Sequence, residues 1–455
     1  MRVPQATKAE PFDMFITGKA DADTMTKIDW YDEFVNPNYE PAKDDLVVLF
    51  YFEPPKGMSR NESAGRIASE SSTGTWTTLA KLPPRMKALE ATAFDMRGNW
   101  LKVAYPGDLW EPGNFCQLKS GIAGNIFGMK GVENLRLVDV SLPQSYIRHF
   151  KGPILGMEGI RKRWKVFRRP FTGAVPKPKI GFSAAEHARV GFETWMGGFD
   201  FVKDDENLTS TKFNRFEDRV SLMAKLRDKA EAETGDRKGA FINITADVET
   251  MKKRADILHE HGFDYAMLDV VIVGTAGLMT MRDYLGDLGI TTHAHRAMHA
   301  AFDRNPRHGI TMQFVAKEMR LLGLNQLHSG TAVGKLVGDK AEVLAVANVL
   351  RDKKTKPVKN MLLDQDWGGI KSAFPVSSGG LHPGLIPDVM DIYGNDMVLL
   401  VSGGIHGHPK GTRAGARAAL QAIEAWNDGL TLEDKAKKSK ELAQSLEKWG
   451  RHSPR

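Results

Sequence analysis

One short segment, Lys203 to Glu206, carries the residue types that a divalent metal site needs. Its acids Asp205 and Glu206 would supply two carboxylates, and oxygen ligands are what a hard cation such as Mg²⁺ prefers. A protonated Lys203 would repel that cation, but a lysine with a lowered pKa can add CO₂ and become a carbamate, an anionic oxygen ligand. The same residues would also suit a charged loop with an internal ion pair. Both interpretations stay open on these residues alone.

Two further lysines, Lys177 and Lys179, are separated only by Pro178. Neighbouring cations suit phosphate binding, and a lysine crowded by other cations can lose its proton and serve as a general base. Surface lysines beside a turn would have the same spacing. The pair therefore predicts phosphate binding or base catalysis, with a plain surface turn as the alternative.

Histidines concentrate in the segment 293–299, which includes His295 and Arg296. Three histidines at this spacing raise the question of zinc, but no cysteine or carboxylate lies nearby in the sequence to complete a tetrahedral site. A histidine general base beside an arginine that clamps phosphate fits the neighbouring residues better.

His328 is followed by a glycine-rich segment that ends at Lys335. A nucleotide-binding P-loop needs four residues between its glycines and a Ser or Thr after the lysine, whereas this segment has three residues and Leu336. A lid with a lysine at its tip is the better interpretation, because glycines permit closure and a cation can neutralise developing charge.

Two glycine pairs each follow a serine. Without side chains, their backbone amides can approach an anion closely, and barrel enzymes often hold phosphate in such loops. Glycine pairs also occur in ordinary turns. With Arg296 and His328, these loops would grip a bisphosphorylated substrate at both ends. The two segments are Ser378-Gly379-Gly380 and Ser402-Gly403-Gly404.

Each of these polar groups follows a short apolar segment, and eight such segments recur from Phe171 onward, each leading to a helix-like stretch. Eight β-then-α units over about 260 residues match the length of a (β/α)₈ barrel, whose active sites lie at the C-terminal ends of the strands. Ser183 and Glu186 form a capping box that predicts the start of the first of these helices. The predicted strand segments are FTGAVPKPK, GGFDFVKDDE, GAFINITAD, FDYAMLDVV, ITTHAHRAMH, LNQLHSGTAVGK, FPVSSGG and MVLLVSGGIHGH.

The fold class predicted is α/β, with a C-terminal (β/α)₈ TIM barrel over residues 151–455 and an N-terminal α+β domain over residues 1–150. Strand-like patterns at 46–52, 100–105 and 135–142 support the smaller domain. The last barrel helix is expected from about Thr412, with Ala416, Leu420 and Ile423 on one face. The mixed-charge C-terminus predicts a helical tail, exposed to solvent.

Composition is that of a soluble globular protein: 455 residues, 42% hydrophobic and 26% charged, with one cysteine. We expect a cytoplasmic protein, because no apolar run is long enough to span a membrane and the start lacks a signal peptide's apolar core. The net charge of +7 calls for an anionic partner. The basic run 161–169 could suit nucleic acid, but such runs usually form a solvated face, so no nucleic-acid partner is expected.

Taken together, these motifs resemble the large subunit of ribulose-1,5-bisphosphate carboxylase/oxygenase, most nearly its archaeal type III form. The resemblance extends from about Asp45 to the C-terminus. Its supporting segments are ESSTGTWTTL, IAGNIFGMK, VPKPKIG, GGFDFVKDDENLTS, HRAMHAAF, HSGTAVGKL, SSGGLHPG and LEKWG.

The resemblance implies a role for each of these groups. Lys203 would be carbamylated by activating CO₂ and, with Asp205 and Glu206, would bind Mg²⁺. Lys177 would be the base that enolises the substrate, and His295 a second proton acceptor. Lys335 would stabilise the transition state. Substrate-binding positions would be Lys179, Arg296, His328, Ser378, Gly379, Gly380, Leu400, Val401, Ser402 and Gly403.

Four N-terminal residues, Glu70, Thr75, Trp76 and Asn125, match positions that complete a neighbouring subunit's active site in this family. The resemblance therefore implies a homodimer or a higher homo-oligomer, a decamer being possible, without a small subunit. Leu400 and Ser402 depart from the family pattern, which has glutamine and glycine there. This departure leaves only the backbone of Leu400 and Val401 for binding.

The implied reaction adds CO₂ and water to ribulose 1,5-bisphosphate and gives two molecules of 3-phosphoglycerate. O₂ would compete with CO₂, and the type III likeness suggests a role in nucleotide (AMP) breakdown. The main alternative is a related enolase or isomerase that acts on a phosphorylated sugar without fixing CO₂. Lys177, Lys335, Glu70 and Asn125 favour carboxylation, because such relatives generally change the lid lysine or the partner-domain residues.

Overall fold

The computed structural model describes residues 29–75, 83–333 and 340–452. Its N-terminal part contains an antiparallel sheet in which β1 pairs with β3 and β4, and β2 pairs with β3. Alternate residues of β1 are fully buried, which agrees with the apolar pattern of the sequence. The strands are β1 (Leu46–Glu53), β2 (Thr92–Arg97), β3 (Trp100–Tyr105) and β4 (Asn134–Ser141).

Helices cover this sheet, and two of them begin at polar caps. Ser59 Oγ accepts from Glu62 N at 3.1 Å and Asn114 Oδ1 accepts from Gln117 N at 3.2 Å, so both helix starts satisfy an otherwise free backbone amide. The predicted α+β character is confirmed. The helices are α1 (Arg60–Glu70), α2 (Phe115–Ile122) and α3 (Gln144–Ile147), with 3₁₀ turns at Asp29–Phe34, Pro84–Leu89, Gly107–Leu109 and Asn125–Phe127.

Eight parallel strands then close into a barrel, in which all eight segments predicted from the sequence take part. Short strands β10 (Gly309–Ile310), β12 (Lys354–Thr355) and β13 (Gln365–Asp366) lie outside it. The barrel strands are β5 (Phe171–Ala174), β6 (Phe201–Lys203), β7 (Gly239–Asn243), β8 (Tyr265–Asp269), β9 (Thr291–His295), β11 (Gln326–His328), β14 (Phe374–Ser378) and β15 (Val398–Leu400).

Helices alternate with these strands. The predicted capping box is present, because Ser183 Oγ accepts from Glu186 N while Glu186 accepts from Ser183 N. The helices are α4 (Gly156–Trp164), α5 (Ala184–Met196), α6 (Phe216–Thr234), α7 (Val248–Glu260), α8 (Val270–Asp287), α9 (His299–Asp303), α10 (Met312–Leu322), α11 (Lys340–Arg351), α12 (Ile386–Tyr393), α13 (Gly403–His406), α14 (Thr412–Asn427), α15 (Leu432–Ala436) and α16 (Lys440–Trp449), with a 3₁₀ turn at Pro383–Leu385.

Aromatic side chains fill the part of the barrel near the N-terminal ends of its strands. Phe201 stacks on Phe241 with ring centroids 4.2 Å apart, and Trp164 packs on Phe201 at 4.3 Å. Trp164 ends α4 and is buried beneath the strands, so it closes the N-terminal end of the barrel. With this end packed by apolar residues, the polar groups are left at the opposite end, where the strands terminate.

The smaller sheet and the barrel share contacts beyond the chain connection. β10 lies within the barrel region of the sequence but pairs with β4 in the N-terminal sheet. Lys317 of α10 reaches Asp139 of β4, and the two atoms Nζ and Oδ2 are 2.8 Å apart in a fully buried ion pair. These contacts fix the N-terminal sheet against the side of the barrel.

The basic run 161–169 is not a uniformly solvated face. Arg161 is largely buried, pairs with Asp396 at 2.8 Å and lies 5.2 Å from the ring centroid of Phe374. Arg169 pairs with Asp200 at 2.6 Å. The run lines a cleft of about 1730 Å³ at the N-terminal end of the barrel, where acidic residues neutralise much of its charge. The expectation of a solvated face is therefore wrong for Arg161.

The C-terminal tail forms helices as predicted, but it is not simply exposed. α16 packs against α14, and Leu442 on its inner face is fully buried. The expectation failed because Ser445 is also buried and Leu446 packs on the same side, so a helix rich in charged residues still has an inner face. α14 itself begins at Thr412, with Ala416 and Ile423 buried as predicted.

Of the helices in the described ranges, none has the length and apolarity needed to cross a membrane.

Candidate active site

The segment that follows β6 lies at the mouth of the barrel. Lys203, Asp204 and Asp205 are almost completely buried, with 1%, 1% and 2% of their surface exposed. Lys203 Nζ donates to the backbone carbonyl of Asp204 at 2.8 Å. Burial lowers the pKa of Lys203, and the nearby carboxylates of Glu206 and Asp205 oppose this shift. The amine therefore lies in a dry, acid-rich pocket instead of on a charged surface loop.

Asp204 anchors this segment from behind. Its carboxylate contacts Arg219 Nε at 3.1 Å and His187 Nε2 at 3.1 Å, and accepts from Asn243 N at 3.1 Å. Burial raises the pKa of Asp204, but Arg219 and His187 outweigh that effect and lower it overall. These partners lie on α6, α5 and β7, so sequence reasoning missed them. Only the position of Asn243 at the end of a strand could have indicated it.

Lys177 reaches the same pocket from the loop after β5. Its Nζ lies 3.3 Å from Asp205 Oδ2, and its side chain is 37% exposed. Asn207 donates to Asp205 Oδ1 from its backbone at 3.2 Å and from its side chain at 3.0 Å. Lys179 is exposed two residues further on. The structure thus brings Lys177, Lys203 and Asp205 together and leaves Lys179 at the rim.

His295 faces these acids from the end of β9. Its Nδ1 lies 3.0 Å from Asp269 Oδ1, and its Nε2 lies 3.6 Å from Glu206 Oε2. Burial and the charge of Lys203 lower the pKa of His295, while Asp269 opposes them. Asp269 was missed from the sequence, although an acid ending the apolar strand YAMLD was a usable signal. With Nδ1 held by Asp269, His295 Nε2 is oriented toward the pocket.

Three more predicted residues lie together at the ends of β9, β11 and β14. His328 Nδ1 is 2.9 Å from Ser378 Oγ, and the His328 ring meets the His295 ring edge-on with centroids 4.6 Å apart. Arg296 Nη2 lies 3.3 Å from the point where a Cβ on Gly330 would stand. A side chain at Gly330, where φ is +100°, would therefore be strained and would crowd Arg296.

The two serine–glycine segments differ in structure. Gly379 and Gly380 have φ of +117° and +71°, a backbone shape that glycine adopts readily and other residues rarely do. Ser402 Oγ accepts from Val175 N at 2.9 Å, and Gly403 begins the short helix α13. The Ser402 hydroxyl therefore already holds the loop after β5.

Leu400 and Val401 do not bring side chains to the barrel mouth. Leu400 packs with the aromatic residues inside the barrel, and Val401 is fully buried in a cluster with α12 and α14. Val401 N donates to Gly173 O at 3.0 Å, within the strand ladder. A binding role for these two side chains is not supported, because they are enclosed by apolar neighbours.

The predicted partner-site residues lie on the N-terminal part of the chain. Glu70 ends α1 and is exposed, and Asn125 is exposed on a 3₁₀ turn that contacts α1. Thr75 is half-buried. Trp76 and Lys335 lie outside the described residues.

The donor set suits a hard cation only in part. Asp205 and Glu206 provide two carboxylates at the barrel mouth, with oxygen atoms of the kind that Mg²⁺ prefers. Within residues 29–75, 83–333 and 340–452, no group of three or more His, Cys, Asp or Glu side chains is arranged to hold a metal ion. Two carboxylates with water molecules can hold Mg²⁺, and Lys203 is the residue beside them that would add a third protein ligand if it carried a carbamate.

The closed barrel and the charged residues at its strand ends define the class as a (β/α)₈-barrel protein with a lysine-centred polar site. Residues 33–146 match the family model for the ribulose bisphosphate carboxylase large chain, N-terminal domain, and residues 156–449 match the model for its catalytic domain. The chain belongs to the ribulose bisphosphate carboxylase large-chain family.

Individual relatives cover nearly the whole chain. It is 50% identical over 433 residues to the ribulose bisphosphate carboxylase of Pyrococcus abyssi, which covers 94% of this chain and 99% of the relative. The octameric Rubisco of Pyrococcus horikoshii, solved with sulfate ion, superposes with a TM-score of 0.86 at 49% identity, covering 93% of this chain and 98% of that one. A dimeric archaeal Rubisco from Hyperthermus butylicus gives 0.88 at 42%, covering 92% and 99%.

Proposed function

We propose that this protein is a Mg²⁺-dependent carboxylase that adds CO₂ and water to ribulose 1,5-bisphosphate and yields two molecules of 3-phosphoglycerate. The observation that carries the proposal is Lys203, a buried lysine at the barrel mouth beside Asp205 and Glu206. A protein needs no buried amine there for packing. The matching relatives carry the name of this activity.

Lys203 is suited to carbamylation. Burial favours its neutral amine, which is the form that attacks CO₂. The resulting carbamate would add an anionic oxygen donor to those of Asp205 and Glu206, which gives a hard cation three protein ligands. When bound there, Mg²⁺ would polarise the substrate's carbonyl and hydroxyl oxygens.

Two other side chains would move protons. Lys177, 3.3 Å from Asp205 and open to the barrel mouth, would take the C3 proton of the substrate. His295 is oriented by Asp269 and would serve as a second proton acceptor through Nε2. The enediolate formed in this way would attack CO₂, and water would then add before the carbon chain is cleaved.

Substrate binding would use groups on both sides of the pocket. Arg296, His328 and Ser378 would hold one side, and the backbone at Gly379 and Gly380 would approach a phosphate without steric hindrance. Ser402 and Gly403, with Lys179 at the rim, would hold the other side. We keep Lys335 as the lid lysine on sequence grounds alone.

The assembly that we propose is a homodimer or a higher homo-oligomer without a small subunit. Exposed Glu70 and Asn125, with Thr75 and Trp76 nearby in the sequence, would complete the active site of a neighbouring copy. Relatives are described as dimeric and octameric. Light scattering on the purified protein tests this proposal, and an active monomer would contradict it.

The decisive experiment supplies ribulose bisphosphate, Mg²⁺ and radiolabelled CO₂, and measures acid-stable label in 3-phosphoglycerate. Absence of label with substrate consumed would favour the alternative, an enolase or isomerase that acts on a phosphorylated sugar. Lys335→Ala separates the two steps further: C3 proton exchange should persist while carboxylation is lost. Equal loss of both would contradict a role confined to the later step.

Two finer features complete the proposal. O₂ should compete with CO₂, because both are small neutral electrophiles that can meet the same enediolate; consumption of O₂ by the substrate-loaded enzyme tests this. We also assign the ribulose bisphosphate to nucleotide (AMP) breakdown, on the strength of the resemblance to the type III form. Isotope-labelled AMP fed to a cell extract should yield labelled 3-phosphoglycerate, and removal of this protein should stop that flow.

A further inference from the structure

A chain of hydrogen bonds leads from the barrel mouth into the core. Ser378 Oγ lies 2.9 Å from His328 Nδ1, and His328 Nε2 lies 3.0 Å from His293 Nε2. His293 Nδ1 lies 2.7 Å from Gln326 Oε1. Four side chains on three neighbouring strands are thus connected in series, and only Ser378 and His328 were assigned a role above.

The inner part of this chain is held rigidly. Gln326 and His293 are fully buried and face each other as register partners on β11 and β9. The His293 ring stacks on Phe241 with centroids 4.1 Å apart and planes inclined by 8°. Neither side chain can turn without breaking this packing, so the two residues hold His328 in a fixed orientation.

The chemistry of imidazole gives the chain a direction. A neutral histidine has one N–H donor and one acceptor nitrogen, so two rings that meet through Nε2 must hold opposite tautomers. Because Gln326 presents its carbonyl oxygen, His293 Nδ1–H donates to it and His293 Nε2 accepts. His328 Nε2–H then donates to His293, and His328 Nδ1 accepts from the Ser378 hydroxyl. Burial lowers the pKa of both histidines, which agrees with neutral rings.

Gln326 occupies its position at a cost. Its Nε2 is buried and has no hydrogen-bond partner within the described part of the chain. An apolar residue of similar size would leave no such donor in the core. A core position needed only for packing would not carry an amide, which points to a role for the oxygen that faces His293.

We infer that Gln326 and His293 are positioning residues, which hold His328 as its Nε2–H tautomer and thereby make Ser378 an acceptor toward a hydroxyl group of the substrate. With its proton turned to His328, the Ser378 hydroxyl presents lone pairs to the barrel mouth. It would repel a phosphate oxygen and receive a hydrogen bond from a sugar hydroxyl. The identity of that sugar rests on the proposed function, whereas the direction of the hydrogen bonds does not.

Neutron diffraction from crystals of the full-length protein grown in D₂O tests the direction itself. We expect deuterium on His328 Nε2 and His293 Nδ1, and none on His328 Nδ1. Deuterium on His328 Nδ1 would overturn the inference. This measurement needs no activity, so it stands even if ribulose bisphosphate proves not to be the substrate.

Gln326→Met supplies the second test. Without the amide oxygen, His293 avoids a buried unpaired N–H by moving its proton to Nε2, and this reverses the chain and moves deuterium to His328 Nδ1. Ser378 then uses one lone pair to accept from His328 Nδ1–H and turns its own proton toward the barrel mouth, which weakens it as an acceptor for a substrate hydroxyl. We expect the KM for ribulose bisphosphate to rise about fivefold, the value of one hydrogen bond, with kcat within about twofold. A fall in kcat with KM unchanged would contradict the inference.

Two comparisons separate positioning from general damage. Ser378→Ala should raise KM by a similar factor, and the double variant with Gln326→Met should raise it no further; multiplying effects would overturn the inference. Gln365 is a matched control, because it is a buried glutamine outside the barrel that bonds to Leu142. Gln365→Met should lower stability without changing KM. If Gln326→Met fails to fold, the deuterium positions in the unmodified protein decide.

Discussion

Two lysines in this molecule are equally buried but differ in what surrounds them. Lys317, 0% exposed, joins the barrel to the N-terminal sheet, and its Nζ meets Asp139 Oδ2 at 2.8 Å and Val140 O at 2.6 Å. Lys203, 1% exposed, donates to the carbonyl of Asp204. Among the described residues, a carboxylate oxygen lies within 4.0 Å of Lys317 Nζ, whereas none lies within that distance of Lys203 Nζ.

This difference shows that burial alone does not make a lysine structural. At Lys317, burial lowers the pKa of the amine, but a carboxylate in direct contact opposes that shift and ties the amine to the fold. Around Lys203 the acids are near enough to attract a cation but are occupied elsewhere: Asp204 by Arg219, and Asp205 by Asn207 and Lys177. The amine at the barrel mouth is therefore left available for chemistry.

The largest effect is expected from Lys203→Met. Carboxylation should fall by about a thousandfold or more, equivalent to roughly 4 kcal/mol of transition-state stabilisation, because the third oxygen ligand cannot form. The free energy of unfolding should change by no more than about 1 kcal/mol, since one hydrogen bond is lost and a costly buried amine is removed. Fixation of labelled CO₂ and urea unfolding measure the two quantities. Near-normal turnover would refute the carbamate.

Lys317→Met should give the opposite result. Removing one partner of a buried ion pair leaves Asp139 unpaired and costs about 3–5 kcal/mol of unfolding free energy. Activity per folded molecule should persist, because Lys317 lies on α10 away from the barrel mouth. Urea unfolding followed by fluorescence gives the change in stability.

The control for this prediction keeps the hydrogen bond and removes the charge. In Lys317→Met with Asp139→Asn, the new amide oxygen can still accept from Leu363 N, which now donates to Asp139 Oδ2 at 2.7 Å. About half of the lost stability should return. A double variant no more stable than Lys317→Met alone would show that Asp139 is not held by its charge pair.

The buried histidine His406, beside the barrel mouth, should make the stability of the protein depend on pH. Burial lowers the pKa of His406 from its ordinary 6.5 to about 4, and its Nε2 bonds Val175 O beside the barrel mouth. Between these values the unfolded chain binds a proton that the folded chain does not, so this stability is complete above pH 6.5 and is lost as pH falls toward 4. From pH 7 to 4.5, His406→Gln should lose roughly 2–3 kcal/mol less stability than the unmodified protein. Equal slopes below pH 6.5, measured by urea unfolding, would contradict this.

Local signals made much of this architecture predictable. The eight strands were found from apolar runs that end in polar residues, and the start of α5 from Ser183 and Glu186, because these features depend on a few consecutive residues. The same rule placed Lys203, His295 and His328 at one end of the barrel. The strands and helix starts that local sequence patterns predict are therefore found in the structure with little change.

Long-range pairings escaped prediction for a physical reason. Nothing near Asp139 in the sequence specifies Lys317, which is 178 residues away, and nothing near His293 specifies Gln326. Such partners meet only when strand register and helix packing are already set. The buried inner face of α16 was missed because few of its residues are apolar: it consists of Leu442, Ser445 and the partly buried Leu446, on a helix rich in charged residues. The side chains that we propose to contact substrate were thus easier to find than the residues that hold them.

The smallest change in unfolding free energy is expected at a second ion pair, between Lys119 and Glu318, in which the lysine is partly exposed to solvent. Lys119 Nζ, on α2, meets both oxygens of Glu318 at 3.0 Å and Thr275 Oγ1 at 3.2 Å; its side chain is 34% exposed and that of Glu318 is 1% exposed. Lys119→Met should cost about 1 kcal/mol, less than Lys317→Met, because water can reach Glu318 through the space that the amine leaves and Thr275 still donates to it. If Lys119→Met costs as much unfolding free energy as Lys317→Met, solvent access does not distinguish Lys119 from Lys317. The difference between Lys203 and Lys317 would then depend only on where their neighbouring carboxylates lie.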